Sequence, residues 1–374
     1  MNPPIPAPSP LESKRRHEGM VSRLRNRETP HHQDLWAEAC SVRQNSPATR
    51  RTFASVTGLA QVARWALLAA FLAPVPLQPS LRAASLFRTN DVVAWVGGAS
   101  VVATDHSGLL ETALTLAHPG HRLRFRSIAW EGDTVFAQPR ELNFPPATQV
   151  LRRVQATVVC TQFGSLEALE PELRTEAFAQ AYRQLLAALR SVTPRLVLVV
   201  PPPFEPQAPP LPDFASANER LARYASAIRS LAAEFDLPSI DLHRALLERP
   251  PPAPWTFDGR EWNPPGHRAL AAAWMRELGR PAFAEHLASS DLWQRAEIAD
   301  LLAAVSRKNR LWFDAWRPTN WAFLAGDRTE QQASRDHRDR TIRWFPAEME
   351  EFDPLVAEAE QRIESLASQA GVTP

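Results

Sequence analysis

The stretch Asp91–Ser100, with the sequence DVVAWVGGAS, decides the fold of this chain. It is an apolar run that Gly97 and Gly98 interrupt, and the amphipathic segment Thr104–Ala117 follows it. This order predicts a strand, a glycine turn and a helix. In α/β folds, the turn at the carboxyl end of the first parallel strand is where binding or catalytic residues stand.

Apolar runs and helical patterns alternate over much of the chain that follows. The runs interpreted as strands are Val92–Val96, Leu123–Ala129, Thr157–Thr161, Leu196–Val200 and Ser239–Leu242. The segments with helical periodicity are Ser107–Ala117, Arg174–Val192, Asn218–Phe235, Gly266–Leu278 and Asp291–Arg307. Strands that alternate with helices predict a parallel sheet, and continuous apolar strands predict a sheet that is covered on both faces.

Composition excludes several classes of function. The 374 residues are 44% apolar, which allows a sizeable core, and their formal net charge is only +1. No global field therefore points to nucleic acid or to an anionic membrane as a partner. The two cysteines, Cys40 and Cys160, form neither a disulfide framework nor a zinc-ligand spacing. We expect no metal and no cofactor.

Residues 1–85 do not have the pattern of a folded domain. Their first part is polar and rich in proline and arginine, and then Arg50-Arg51 precedes the short apolar segment Trp65–Leu77. A charged flank, a short apolar core and a small-residue end are typical of a secretory signal, here of the twin-arginine or the ordinary kind. The apolar segment is too short for a stable membrane span. We expect an exported protein, and the alternative is a disordered tail with one buried helix.

The character of the chain changes again near its end, where residues 286–374 are predicted to form a helical extension. Tryptophans and arginines alternate there, and Glu348–Ala367 has the pattern of an amphipathic helix. The aromatic residues are expected either to pack on the main domain as a helical cap or to bind carbohydrate or a protein partner. Asp336, His337 and Asp339 are a weak candidate for a metal site.

Four short blocks stand, in order, near the ends of the predicted strands. They read Val96-Gly-Gly-Ala-Ser100, Trp130-Glu-Gly-Asp-Thr134, Phe163-Gly-Ser-Leu-Glu167 and Asp258-Gly-Arg-Glu-Trp-Asn-Pro-Pro-Gly-His267. In order and spacing they resemble the blocks of the SGNH (GDSL) hydrolases over residues 90–278, about half of the chain. The tail is similar to that of exported members from Planctomycetes-type bacteria. The resemblance implies a flavodoxin-like, three-layer α/β/α fold with a central parallel sheet over residues 86–285.

The family's first block carries a serine nucleophile after Gly-Asp, and its last block carries the aspartate and histidine of a triad. Here Ala99 falls on the nucleophile position, or Ser100 does so after a shift of one residue. Asp258 matches the triad aspartate, and Glu261 falls on the histidine. Alanine has no nucleophile, and a carboxylate is about two pKa units less basic than imidazole.

The two middle blocks supply oxyanion donors in that family. Gly132 matches the oxyanion glycine, whereas Leu166 falls on the oxyanion asparagine and has no donor. Three further residues of the blocks are expected to line the pocket: Gly98, Glu167 and Trp262. The resemblance thus implies a pocket for acylated carbohydrate or a similar small-molecule ester, in a protein that is weak or inactive as an esterase.

Two alternatives stay open at this point. Ser100 is the nucleophile of an active esterase if His106 or His267 takes over the part of the base. The extension is the working surface if the protein is a scaffold that binds a protein partner, and in that case its deletion leaves the core folded.

Overall fold

The computed structural model describes residues 86–252 and 254–371, so the predicted export signal lies outside the described residues. The five strands are β1 (Val92–Gly97), β2 (Arg124–Ser127), β3 (Val158–Gln162), β4 (Leu196–Val200) and β5 (Ser239–Asp241). They form one parallel sheet in the order β2-β1-β3-β4-β5. This is the flavodoxin-like order, which confirms the predicted fold class.

Thirteen α-helices surround or extend the sheet in the described part of the chain. Those of the α/β part are α1 (Ala99–Ser107), α2 (Leu109–Ala117), α3 (Ala147–Arg153), α4 (Thr175–Arg190), α5 (Ala215–Glu234), α6 (Leu242–Glu248) and α7 (Pro264–Glu277). The later ones are α8 (Pro281–Ala288), α9 (Ser290–Gln294), α10 (Ala296–Trp316), α11 (Trp321–Leu324), α12 (Trp344–Glu350) and α13 (Phe352–Gln369). None of the described helices is long and apolar enough to cross a membrane.

Strand β1 lies inside the sheet and is buried along its whole length. Val93 and Trp95 belong to the core cluster on one face of the sheet, and Ala94 and Val96 belong to the cluster on the other face. Successive side chains of a strand point to opposite faces, so a continuous apolar run is what a sheet with helices on both sides requires.

The first helix begins earlier than the sequence predicted. We expected a turn through Ser100 and a helix only from Ser107, within an amphipathic segment that begins at Thr104, but α1 starts at Ala99, directly after β1. Gly98 is its N-cap in an extended conformation, with no side-chain cap. The expected single helix is also broken at Gly108, whose φ of 68° lies in the left-handed region that favours glycine.

The predicted helix Asp291–Arg307 was wrong in both of its bounds. A kink after α9 separates a short first piece, and α10 continues to Trp316. Lys308, Trp312 and Trp316 follow one another at intervals of four residues and are all buried, so the aromatic stretch is one face of the helix. Helix α13 packs along α10, and this confirms the helical C-terminal region.

Candidate active site

A cavity of about 240 Å³ lies outside the carboxyl ends of β1 and β3. The strand order reverses between these two strands, and open parallel sheets bind ligands in the crevice that this reversal creates. All but one of the nine site residues that the sequence singled out line the cavity. Those that line it are Gly98, Ala99, Ser100, Leu166, Glu167, Asp258, Glu261 and Trp262.

The end of β1 reaches the cavity through two glycines that have no room for a side chain. A Cβ on Gly97 would lie 2.5 Å from the Gln162 carbonyl oxygen, which belongs to the neighbouring strand. A Cβ on Gly98 would lie 3.0 Å from the Asp133 carbonyl oxygen. The close approach of these backbones brings the loops that follow β2 and β3, here called the β2 loop and the β3 loop, to the first turn of α1. Ala99 is exposed to the cavity at this turn.

Ser100 is the only hydroxyl on the first turn of α1, and an amide is its partner. The Gln162 side chain donates a hydrogen bond of 3.2 Å from Nε2 to the Ser100 Oγ. Within the described ranges, no histidine lines the cavity. Ser100 therefore has no imidazole neighbour in this site to accept its proton.

Neither of the two histidines considered as substitutes lines the cavity. His106 is at the last turn of α1, where its ring meets Phe313 edge to face at a centroid distance of 5.0 Å. His267 is in the first turn of α7, with an enclosed Nδ1 that has no hydrogen-bond partner. Burial lowers the pKa of His267 to about 4, so its ring is neutral at neutral pH.

The β2 loop contributes Asp133 to the cavity rather than Gly132. Gly132 is exposed, is absent from the lining, and has no atom within 4 Å of the place where its Cβ would be. Asp133 is buried and receives two hydrogen bonds from the Arg140 guanidinium, at 2.6 and 2.7 Å. Burial raises the pKa of Asp133, and the paired Arg140 opposes that rise.

The β3 loop places Leu166 and Glu167 side by side, with different surroundings. Leu166 is half-buried on the cavity wall. The buried Glu167 carboxylate accepts hydrogen bonds from the backbone N–H of Val135 at 2.9 Å and of Gly164 at 2.8 Å. Burial is also the main reason that the pKa of Glu167 is raised. Glu167 thus joins the β2 and β3 loops.

The fourth loop, which carries the start of the fourth block and leads into α7, presents the carboxylates of Asp258 and Glu261 in different ways. The Asp258 Oδ1 accepts hydrogen bonds from the backbone N–H groups of Arg260 at 2.8 Å and Glu261 at 2.7 Å, so it shapes the turn. The Glu261 side chain is exposed. Gly259 has a φ of 94°, and its Cβ would lie 2.6 Å from the Phe214 ring. Only glycine fits both conditions.

Trp262 lines the cavity but is buried, in contact with Trp255 at a centroid distance of 5.0 Å. Both rings are buried, and their planes are tilted by 49°. Gly266 allows this packing, because a Cβ there would lie 1.9 Å from the Trp255 carbonyl oxygen.

Sequence reasoning missed Glu205, which holds the fourth loop in place. The Glu205 carboxylate is buried and accepts hydrogen bonds from the backbone N–H of Trp255 at 3.1 Å and of Thr256 at 2.7 Å. Its own N–H donates to the Gly259 carbonyl at 3.0 Å. The available signal was a single carboxylate directly after the apolar run Pro201–Phe204.

The C-terminal extension is built into the α/β part rather than presented to solvent. The Trp312 indole N–H donates to the Ser127 carbonyl at 2.6 Å, at the end of β2. Trp316 is buried and meets Trp130 edge to face at 5.6 Å. These contacts match the helical cap, one of the two roles that the sequence left open for the aromatic residues.

The weak metal candidate in the extension has no further support. His337 is largely exposed, and its Nδ1 is 3.8 Å from an Asp336 oxygen. No group of three or more potential metal ligands exists among residues 86–252 and 254–371.

In the resembling hydrolases, ester cleavage requires a nucleophile, a base and oxyanion donors that meet at one crevice. This cavity instead brings together a methyl group, an isobutyl group and a carboxylate, from Ala99, Leu166 and Glu261. Among the described residues, Ser100 and Ser165 are the only serines that line the cavity.

Comparison with known proteins gives a family match that coincides with the cavity. A search of the curated proteins found no match. Among solved structures, a catalytic mutant of an acetylxylan esterase from Geobacillus stearothermophilus is 15% identical, with 52% of this chain and 96% of that chain covered and a TM-score of 0.41. An α/β hydrolase enzyme from the metagenome of Lake Arreo is 16% identical, covering 52% and 98% of the two chains, with a TM-score of 0.40. A gut microbial diltiazem-metabolizing enzyme is 11% identical, covering 76% and 95%, with a TM-score of 0.49.

The model of the GDSL-like lipase/acylhydrolase family matches residues 97–269. This segment starts at the last residue of β1 and ends in α7, so it contains the first block from Gly97 onward and the other three blocks whole. Over this segment, the α/β part of the chain is similar to the GDSL-like lipase/acylhydrolase (SGNH) family.

Proposed function

We propose that the cavity binds a small ester, such as an acylated carbohydrate, and that the protein hydrolyses it very weakly or not at all. The observation that carries this proposal is Ala99, which occupies the first turn of α1 at the cavity end of β1. A methyl group has no lone pair, so no acyl-enzyme forms at this position.

Two further residues of the cavity support the same proposal. Leu166 has no donor for an oxyanion, and the loss of one such donor costs ~10²–10³ in rate. Glu261 is exposed and is a much weaker base than an imidazole. Because the members of a triad act as a unit, these losses do not simply multiply, but each removes a group that the reaction needs.

We include export in the proposal because of the signal-like pattern that contains Arg50-Arg51. A protein partner for the extension is the weaker alternative, since Trp312 and Trp316 are buried. An active esterase built on Ser100 is the alternative that the first experiment has to separate.

The experiment combines an ester assay with active-site labelling of the full chain. We expect no turnover of p-nitrophenyl acetate above that of the Ser100→Ala variant, and no covalent labelling by a fluorophosphonate. Labelling at Ser100, together with turnover that Ser100→Ala abolishes, overturns the proposal. Ser165→Ala is the matched control, because it removes the second serine of the lining.

A further inference from the structure

The charges around the cavity are mostly negative. Its lining contains four carboxylates and one guanidinium, and of these only Asp133 has an ion-pair partner among the described residues. The four carboxylates are Asp133, Glu167, Asp258 and Glu261. The guanidinium is that of Arg260, which is exposed.

One of these carboxylates, that of Glu261, stands where the family's chemistry needs the opposite charge. In the resembling hydrolases, the position of Glu261 is a histidine that becomes cationic during the reaction, and the position of Leu166 donates a hydrogen bond to an oxyanion. Here a carboxylate and an alkyl group occupy these positions. The cavity therefore has no side-chain donor at position 166 and carries an additional carboxylate at position 261.

The rest of the wall is apolar and aromatic. It includes Phe163, Leu169, Phe204, Trp255 and the Pro202-Pro203 pair. Such a wall suits the apolar part of a ligand, whereas the exposed Glu261 carboxylate is in contact with solvent. A volume of about 240 Å³ is below the range of drug-sized ligand sites, so the occupant is a small molecule.

The geometry points to a small organic cation as the ligand, an ester that carries an alkylammonium group. This inference rests on the proposed function and names the class of ester. The ammonium group lies near Asp258 and Glu261 at the rim, and its alkyl substituents lie against the apolar wall. The acyl group points to Ala99 and Leu166, which have no group that attacks it.

The test compares two esters of the same shape. Acetylcholine and 3,3-dimethylbutyl acetate differ mainly in that a quaternary nitrogen replaces a carbon, so their affinities report the charge. We expect the full chain to bind acetylcholine at least about tenfold more tightly at low ionic strength, with a preference that added salt reduces. Calorimetry measures binding, and proton NMR follows acetate release in the same samples.

Glu261→Gln removes one charge from an exposed side chain, so it leaves the fold intact. We expect it to weaken acetylcholine by about threefold or more and to leave the neutral ester unchanged. The matched control is Glu219→Gln, which removes an exposed carboxylate of α5 that is not part of the lining. It should change neither affinity.

The outcomes separate this inference from the proposed function. Equal affinities for the two esters, with no effect of Glu261→Gln, overturn the cation preference and leave the ester-binding cavity standing. Release of acetate by the wild type, lost in Ser100→Ala, overturns the proposed inactivity and leaves the cation preference standing. No binding of either ester overturns both.

Discussion

The Lys308 ammonium of α10 lies 2.8 Å from the Glu111 carboxylate of α2, and both side chains are buried. Lys308 also donates to the Phe125 carbonyl of β2 at 3.3 Å, and the neighbouring Asn309 side chain donates to the Asp105 carbonyl of α1 at 2.8 Å. The C-terminal extension therefore contacts the same helix that carries Ala99. We infer that the extension and the α/β part fold together.

Breaking this ion pair from one side should be costly. We expect Lys308→Met to lower the free energy of unfolding by about 3–5 kcal/mol, because it leaves Glu111 as an unpaired buried carboxylate. The double variant Lys308→Met/Glu111→Leu should recover at least half of that loss. Urea unfolding followed by tryptophan fluorescence measures both.

The control for this pair is on the same helix. Arg310 and Asp314 form an exposed pair at 3.1 Å, and Arg310→Ala should cost less than about 0.5 kcal/mol. A loss for Lys308→Met that is no larger than the loss for Arg310→Ala contradicts the buried role of Lys308.

Asp105 gives the protein a pH-dependent stability near neutral pH. Burial raises the pKa of Asp105 from 3.8 to about 7, although the nearby Lys308 lowers it. The folded state thus binds this proton more tightly than the unfolded state, so stability falls as the pH rises from about 4 to 7 and stays lower above 7. Asp105→Asn should be about 2 kcal/mol more stable than the wild type at pH 8 and unchanged at pH 4. Urea unfolding at the two pH values measures the difference, and the same gain at both contradicts the assignment.

Asp91 should have the opposite effect to Asp105, so that its contribution to stability is lost as the pH falls. Burial alone would raise the pKa of Asp91, but Arg195, at 2.6 Å, and further hydrogen bonds lower it overall. This stability is present above the unfolded pKa of 3.8 and is lost as the pH falls through the lower folded value. Asp91→Asn should cost about 3 kcal/mol at pH 7 and progressively less below pH 3.

Thermal unfolding across that pH range measures the effect of Asp91→Asn. Glu234→Gln is its control, since the Glu234 and Arg183 side chains pair at 2.8 Å on the surface. A cost of Asp91→Asn that persists unchanged at pH 2 would mean that the carboxylate is not its source.

The packing of the fourth loop should depend on the absence of a side chain at Gly266. Gly266→Ala puts a methyl group 1.9 Å from the Trp255 carbonyl oxygen, so the loop must move, at a cost of roughly 2 kcal/mol or more. Gly132→Ala has open space and should cost less than about 0.5 kcal/mol. Denaturant unfolding of the two variants tests the difference, and equal costs contradict the packing at Gly266.

Much of the fold could be predicted from the sequence, because each strand is a continuous apolar run between helical segments. Val92–Val96 was assigned to within one residue of β1. The start of α1 could not be predicted, because Gly98 caps the helix without a side-chain signal. The length of α10 was missed because the aromatic residues near Trp312 resembled a separate segment.

The site was predictable where a block follows a strand directly. Ala99 and Glu167 lie at the cavity because parallel strands end at one edge of the sheet. Glu205 was missed because its role depends on backbone amides of Trp255 and Thr256, about fifty residues later in the chain. The burial of Lys308 was not foreseen either, since lysine is mostly exposed and is almost never fully buried unless it is paired.

We propose that the crevice has kept the shape of a hydrolase site and lost the groups that react. Restoring them in the triple variant Ala99→Ser/Leu166→Asn/Glu261→His tests this most directly, with p-nitrophenyl acetate as the substrate and the reaction rate as the measurement. The matched control is the double variant Leu166→Asn/Glu261→His, which keeps Ala99 and so lacks the nucleophile. We expect no enzymatic turnover for the wild type or the double variant, and a gain of ~10²-fold or more for the triple variant. Wild-type turnover of about 1 s⁻¹ or more, lost in Ser100→Ala and not increased by the triple variant, would contradict it.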